Sequence, residues 1–267
     1  MNWPEHILGS DWKVKSAGGL TGDAFVAEKN HKRLFIKRNS SPFLAVLSAE
    51  GIVPKLIWTK RVENGDVITA QRWLEGRKLK PEEMKSQKVA NILHKIHHSP
   101  ELLHMLLRLG KKPITSNTAY DSLVTYAAET ISAYRDIEIA SSYLKDLLPY
   151  TTEQEMAVCH CDVNHNNFIL THDNQLFLVD WDNAMITDPA TDFSTVLKWY
   201  VPESEWDAWL EKYGIEREDY FLERTYWYLL LNTVHYFNWH LERNEHNNAM
   251  EQLQKIRKLN DEICHLF

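Results

Sequence analysis

Residues 156–195 read M-A-V-C-H-C-D-V-N-H-N-N-F-I-L-T-H-D-N-Q-L-F-L-V-D-W-D-N-A-M-I-T-D-P-A-T-D-F-S-T. Met156 to Cys159 is a short apolar run, which suits a buried strand feeding a loop. Two more apolar runs, Phe168-Ile169-Leu170 and Leu176-Phe177-Leu178-Val179, enclose the turn residues His172-Asp173-Asn174 and predict a hairpin. A hairpin returns the end of its second strand to the start of its first. Asp180 is therefore expected close to Asn167.

Within this stretch stands the pattern His160-x-Asp162-x-x-x-x-Asn167, followed by Asp180. Alone, such a pattern means little, because Asp and Asn are common loop residues. Here it is joined to a strand before it, a hairpin after it and an acid at the end of the second strand. That combination suits metal-assisted phosphoryl transfer. Mg²⁺ is a hard cation that takes oxygen ligands. The Asp180 carboxylate and the Asn167 amide oxygen are candidate protein ligands, with nucleotide phosphates and water completing the shell. Asp162 is the candidate catalytic residue: it would accept the proton of an attacking hydroxyl and aim it at the γ-phosphate of ATP. His160 is expected to brace the loop.

The composition describes an ordinary globular chain. It has 267 residues, 44% hydrophobic and 25% charged, with no apolar stretch of the roughly 18 residues that span a membrane. Net charge is −7 and the densest basic cluster is only Lys255-Ile256-Arg257-Lys258. Direct nucleic-acid binding and membrane binding through bulk charge are not expected. Cys159, Cys161 and Cys264 lack the spacing of a zinc site or disulfide framework. The N-terminus shows no basic-then-apolar signal pattern. A cytoplasmic protein with reduced thiols is expected.

Upstream, Trp12–Lys15, Ala24–Glu28 and Leu34–Lys37 read as strands around the turns Ser16–Asp23 and Asn30-His31. Gly18 and Gly19 in the first turn have backbone N–H groups suited to nucleotide phosphates, although glycines in a hairpin are often only a hairpin. Lys37, on the third strand, stands where kinases place the lysine for the α- and β-phosphates. Kinases pair that lysine with a glutamate on the next helix. The only acid in residues 40–51 is Glu50, at the helix end. Either the pair is absent or another acid supplies it. Leu56–Lys60 and Val67–Gln71, joined through Asn64-Gly65, complete five strands of a small antiparallel sheet. From Pro81 the pattern is helical. Val89, Ile92, Leu93 and Ile96 mark one apolar face, and Leu123 to Leu148 reads as a second helical region. His94, His97 and His98 share the first of these helices, but Lys95 stands where a zinc protease needs its glutamate. Asp188 before Pro189 reads as a helix cap. Helices are expected over 202–213, 216–241 and 247–267.

These residues together resemble the aminoglycoside phosphotransferase and choline/ethanolamine kinase family, relatives of protein kinases. The runs C-H-C-D-V-N-H-N-N and L-V-D-W-D-N-A also resemble small kinase-like cell-cycle regulators of Gram-positive bacteria. The resemblance implies an α+β, protein-kinase-like two-lobed fold. A small antiparallel-sheet nucleotide-binding lobe would span residues 1–74, and a large helical catalytic and substrate-binding lobe residues 75–267. It implies that Arg72, Trp73 and Leu74 form the adenine edge and that Asp192 braces the catalytic loop. It implies ATP and Mg²⁺ as cofactors, and cell-division or replication-control proteins as partners.

The expected activity is ATP-dependent phosphorylation of a small-molecule hydroxyl substrate. A protein kinase fits less well, since there is no Arg between His160 and Asp162 and no D-F-G. For the acceptor, Asn164 and His165 supply neutral groups that suit a polyol, with ribose or 2-deoxyribose first by the resemblance. Trp181, Trp199, Tyr200, Trp227, Tyr236 and Trp239 offer aromatic faces for a sugar ring or for choline. Choline, ethanolamine and aminoglycosides therefore stay open as acceptors, and so does a catalytically weak regulatory scaffold.

Overall fold

The computed structural model describes residues 7–9, 11–17, 23–152 and 155–266. The described residues fall into two compact units. One comprises Met1–Leu79 with Asn166–Asp180, the other Lys80–His165 with Trp181–Phe267.

The first unit carries the expected antiparallel sheet. Its strands are β1 (Lys13–Ser16), β2 (Ala24–Lys29), β3 (Lys32–Arg38), β4 (Leu56–Arg61) and β5 (Val67–Arg72), in spatial order β1-β2-β3-β5-β4. Helix α1 (Phe43–Ala49) connects β3 to β4. Asn30 and His31 both adopt positive φ (45° and 64°), the backbone twist that a two-residue hairpin loop requires. Side chains alternate across the strands, so Ala27, Ile36, Ile68 and Ala70 meet on one face as a buried cluster. Trp12, Phe25, Leu34 and Trp58 pack around it.

A second sheet in this unit holds the predicted hairpin. Strands β8 (Phe168–Thr171) and β9 (Leu176–Leu178) pair antiparallel, and β6 (Gly76–Lys78) adds to β8. The Leu178 N–H also donates to the Ile52 carbonyl at 3.0 Å. These main-chain bonds group residues 75–79 and the hairpin with the sheet unit, where the sequence places a division after Leu74. The expected turn is present, with Asn174 at φ 68°.

The second unit is mainly helical. Helix α2 (Gln87–His97) buries Val89, Ile92, Leu93 and Ile96, the face its periodicity marks. Then come α3 (Pro100–Arg108), α4 (Ser116–Tyr126), α5 (Ala128–Ala133) and α6 (Arg135–Leu147). The helical region expected over 123–148 is thus three segments. Tyr134 leaves helical geometry (φ −123°, ψ 113°), and its ring packs edge-on against Phe237 at 5.1 Å. Tertiary packing overrides local helix propensity there. Strand β7 (Ala157–Cys159) is fully buried and pairs with β10 (Met185–Thr187), a partner its sequence does not announce. Helices α7 (Ala190–Tyr200), α8 (Trp206–Tyr213), α9 (Phe221–Glu242) and α10 (His246–Leu266) complete the unit. Trp206, Trp209 and Trp227 fill its core. Among the described residues no helix is long and apolar enough to cross a membrane.

Gly76 shows how tightly β6 approaches β8. A Cβ on Gly76 would stand 2.5 Å from the Leu170 carbonyl oxygen, a backbone atom that cannot swing away. Gly76→Ala should therefore destabilise the protein by about 1–3 kcal/mol, as overpacking does. A lowered urea midpoint at unchanged slope would show it.

Candidate active site

Strand β7 delivers the chain into the loop that carries Asp162. Within this loop Cys161 adopts φ 62°, a left-handed conformation that costs an L-residue with a Cβ about 1–2 kcal/mol. The surroundings over-determine it. The His160 N–H donates to Asp192 Oδ2 at 2.7 Å and the Cys161 N–H to Asp192 Oδ1 at 2.8 Å. The Tyr236 hydroxyl, from α9, donates to the Cys161 carbonyl at 3.0 Å. The Asp162 N–H donates to His160 Nδ1 at 3.3 Å. His160 is fully buried, edge-on to Trp181 at 4.8 Å. It braces the loop, as its position suggests.

Asp192, in the first turn of α7, is the hub of this arrangement. His97 Nε2 donates to its Oδ2 at 3.0 Å, and His97 Nδ1 meets the Tyr213 hydroxyl at 2.6 Å. Burial pushes the Asp192 carboxyl up. The hydrogen bond and charge of His97, with the charge and N–H of His160, outweigh it and hold the carboxyl below its ordinary value. Asp188 accepts the Ala190 N–H at 2.8 Å, so it caps α7 as expected. It also takes two hydrogen bonds from Arg224, at 2.9 and 2.5 Å. His97, Cys159 and Asp192 place ligand-type atoms within 4.8 Å of one another. This cluster is a hydrogen-bonded core. Burial pushes the Cys159 thiol well up, so it stays protonated, and its Sγ lies within reach of the Thr187 and Asp188 carbonyls, at 3.6 and 3.4 Å. His94 and His98 are equally committed, to the Tyr213 and His94 carbonyls at 2.7 and 2.8 Å.

Asp162 is half-buried. The Asn164 side-chain amide donates to Asp162 Oδ1 at 2.9 Å and to its carbonyl at 3.2 Å. His165 meets the Tyr200 hydroxyl through both its N–H (3.4 Å) and its Nδ1 (3.2 Å). Burial first, and then the Asp162 carboxylate, raise the phenols of Tyr200 and Tyr236, which stay protonated. The groups placed around Asp162 thus include the Asn164 amide and the phenols of Tyr200 and Tyr236, with the His165 imidazole on Tyr200. Of the aromatic residues considered for the acceptor, Trp227 is excluded. It is inaccessible, and its indole N–H donates to the Leu144 carbonyl at 2.8 Å.

In the first unit, Asn167 ends a 3₁₀ turn (His165–Asn167) and β8 follows at once. Phe168 pairs with Leu178, and the Val179 N–H donates to the Asn167 carbonyl at 2.9 Å. Asp180 comes next in the chain, exposed and at φ 68°. The hairpin therefore brings Asn167 and Asp180 to the same end, as expected. Both side chains carry hard oxygen donors, which fits Mg²⁺. Lys37 lies on β3 opposite Ala24 and Thr69. Gly18 and Gly19 lie outside the described residues. Arg72, Trp73 and Leu74 leave β5, with the Arg72 N–H on the Lys55 carbonyl at 2.8 Å. They border a cleft of about 820 Å³, whose other walls include Ser48 of α1 and His172 of the hairpin turn. Lys37, Asn167 and Asp180 do not line this cleft.

Spacing along the chain gives no sign of the parts played by Tyr236, Arg224 and His97. Tyr236 reaches Cys161 across 75 residues of sequence.

These two units define a protein-kinase-like fold, and solved structures share it. Choline kinase LicA from Streptococcus pneumoniae matches with a TM-score of 0.73 at 18% identity, covering 97% of this chain and 96% of that one. The GDP complex of aminoglycoside 2'-phosphotransferase-IIIa matches with a TM-score of 0.70 at 14% identity, covering 97% and 96%. A choline/ethanolamine kinase family protein from Mesorhizobium loti matches at 0.66 and 16%, covering 95% and 90%. The model of the phosphotransferase enzyme family matches residues 17–227, and the chain belongs to that family.

Asp192→Asn should cost about 3–5 kcal/mol, the range for removing one partner of a buried charged network. The folded Asp192 pKa lies below its unfolded value of about 3.9. Its stabilisation is thus fully present above about pH 4 and is lost as pH falls through the folded pKa. Urea unfolding measured against pH should show a shallower loss on acidification in the variant.

Proposed function

We propose that the chain is an ATP- and Mg²⁺-dependent small-molecule kinase in which Asp162 is the general base. The observation that carries this reading is the half-buried Asp162 carboxylate on a loop braced from both sides, with one oxygen held by a neutral amide. The acceptor hydroxyl gives its proton to Asp162 as its oxygen forms a bond to the γ-phosphorus, and the bond to the ADP oxygen breaks. Asn167 and Asp180 would hold Mg²⁺, which when bound offsets negative charge on the phosphates. Lys37 would contact the α- and β-phosphates, Gly18 and Gly19 would cover them, and the main chain of residues 72–74 would meet adenine. Residues 1–74 would serve as the nucleotide-binding lobe and residues 75–267 as the catalytic and substrate-binding lobe.

For the acceptor we favour a small neutral polyol, ribose or 2-deoxyribose first. Support comes from the Asn164 amide on Asp162 and from the His165 imidazole and Tyr200 phenol beside it, groups that suit hydroxyl hydrogen bonding. The half-buried Trp181 would stack on the sugar ring. Asn164 spends its amide N–H on Asp162, so Asn164→Ala would disturb the base as well as the acceptor. A second reading has choline or an aminoglycoside as acceptor. The likeness to a choline kinase and to aminoglycoside phosphotransferases supports it equally. The resemblance of C-H-C-D-V-N-H-N-N to kinase-like cell-cycle regulators supports a cytoplasmic role in replication-initiation control, with partners among cell-division proteins. It also keeps a mainly regulatory, weakly catalytic protein in view.

A turnover screen across ribose, 2-deoxyribose, choline, ethanolamine and aminoglycosides tests the acceptor. Phosphorylation of choline with none of the pentoses would overturn the polyol reading. No turnover with any acceptor would favour the scaffold.

Asp162→Ala should lower kcat by about 10²–10⁴-fold while the KM for ATP barely changes, because a positioned base contributes that much and does not hold nucleotide. Near-normal turnover would remove Asp162 from the role.

Asp180→Asn should instead raise the Mg²⁺ concentration needed for ATP binding, with Asn167→Ala milder. The check is a Mg²⁺ titration of nucleotide affinity. An unchanged metal dependence would place the ion elsewhere.

A further inference from the structure

We propose that Tyr236 is a positioning residue for phosphoryl transfer, aiming Asp162 through the Cys161 carbonyl. This rests on Asp162 being the base. The peptide group between Cys161 and Asp162 has two polar ends, and each is held by a different partner. The Tyr236 hydroxyl donates to its carbonyl at 3.0 Å, while its N–H donates to His160 Nδ1 at 3.3 Å. The orientation of this peptide plane sets the direction in which the Asp162 side chain leaves the backbone. The plane also follows a residue in the left-handed region, Cys161 at φ 62°, where the backbone does not rest unless its neighbours hold it.

The two anchors of Cys161 come from different helices. Asp192 of α7 takes its N–H, and Tyr236 of α9 gives a proton to its carbonyl. Asp192 serves several groups at once, including His160 and His97. Tyr236 serves the Asp162 segment alone, through the carbonyl that precedes Asp162 and a side-chain interaction with the Asp162 carboxyl itself. Removing that hydroxyl leaves the ring packing and the Asp192 hub in place, and frees one end of the peptide plane. The phenol keeps its proton for this work, because burial and the neighbouring carboxylate raise its pKa. Tyr236 need not touch the transferred phosphoryl group.

The test is Tyr236→Phe in the full chain. It is assayed by ADP release from Mg-ATP with water alone, and with ribose, 2-deoxyribose and choline each supplied as acceptor. A misplaced reacting group can cost about 10²-fold, so kcat should fall roughly 10- to 100-fold. The KM for ATP and the thermal midpoint should hold near wild type. In an Asp162→Asn background the same change should cost almost nothing more, because the two residues act as a unit. If Asp162→Asn itself keeps full turnover, the base assignment fails. If Asp162→Asn is impaired and Tyr236→Phe is not, only the positioning role fails. A Tyr236→Phe protein too unstable to assay, or an additive loss in the double variant, would overturn the proposal by showing a role in the fold alone.

Discussion

The second unit depends on one buried carboxylate. Asp192 is almost wholly removed from water, and a charge so placed must be paired and hydrogen-bonded. It is satisfied by two consecutive backbone N–H groups of the Asp162 loop and by His97. Because those donors belong to the loop, neutralising the charge and shaping the loop are the same event. His97 extends the network to Tyr213, the last residue of α8. The following Gly214 lets that helix end, at φ 101°. The loop that carries Asp162 is thereby tied to three helices.

The hairpin works by a different principle. Its geometry is local, set by two apolar runs, a three-residue turn and main-chain pairing. That suffices to put Asn167 and Asp180 at one end without any buried charge. The left-handed backbone at Asp180 and at Cys161 marks both stretches as places where the chain departs from relaxed geometry. The Cys161 loop is held by long-range hydrogen bonds. The hairpin is held chiefly by its own ladder, with β6 and Ile52 adding bonds at its edges.

Much of this was legible because its signals are periodic or short-range. The five strands of the small sheet, the face of α2 and the hairpin turn follow from alternation, helical spacing and turn residues. What escaped was non-local. No strand is expected over residues 76–78, yet they pair with β8, because Gly76 permits a close backbone approach. The short β10 shows no strand pattern strong enough to reveal its pairing with β7. The helical pattern over 123–148 conceals a break at Tyr134 that exists because Phe237 is there to receive its ring. Trp227 looked as suitable for a binding face as Trp181. Only packing shows that one is core and the other half-buried.

The sequence by itself determined the class of fold, the five-stranded sheet and the hairpin that brings Asn167 and Asp180 to one end, since these depend on residue types at fixed short spacings. The tertiary structure decided how the Asp162 loop is held. Asp192, His97, Tyr213 and Tyr236 reach that site from helices far apart in the chain, and their hydrogen bonds exist only once α2, α7, α8 and α9 have packed. Burial then determines what each group can do. It keeps Cys159 a thiol and leaves Tyr236 with a proton to donate, while Asp192 stays an anion against its burial because His97 and the loop N–H groups hold it.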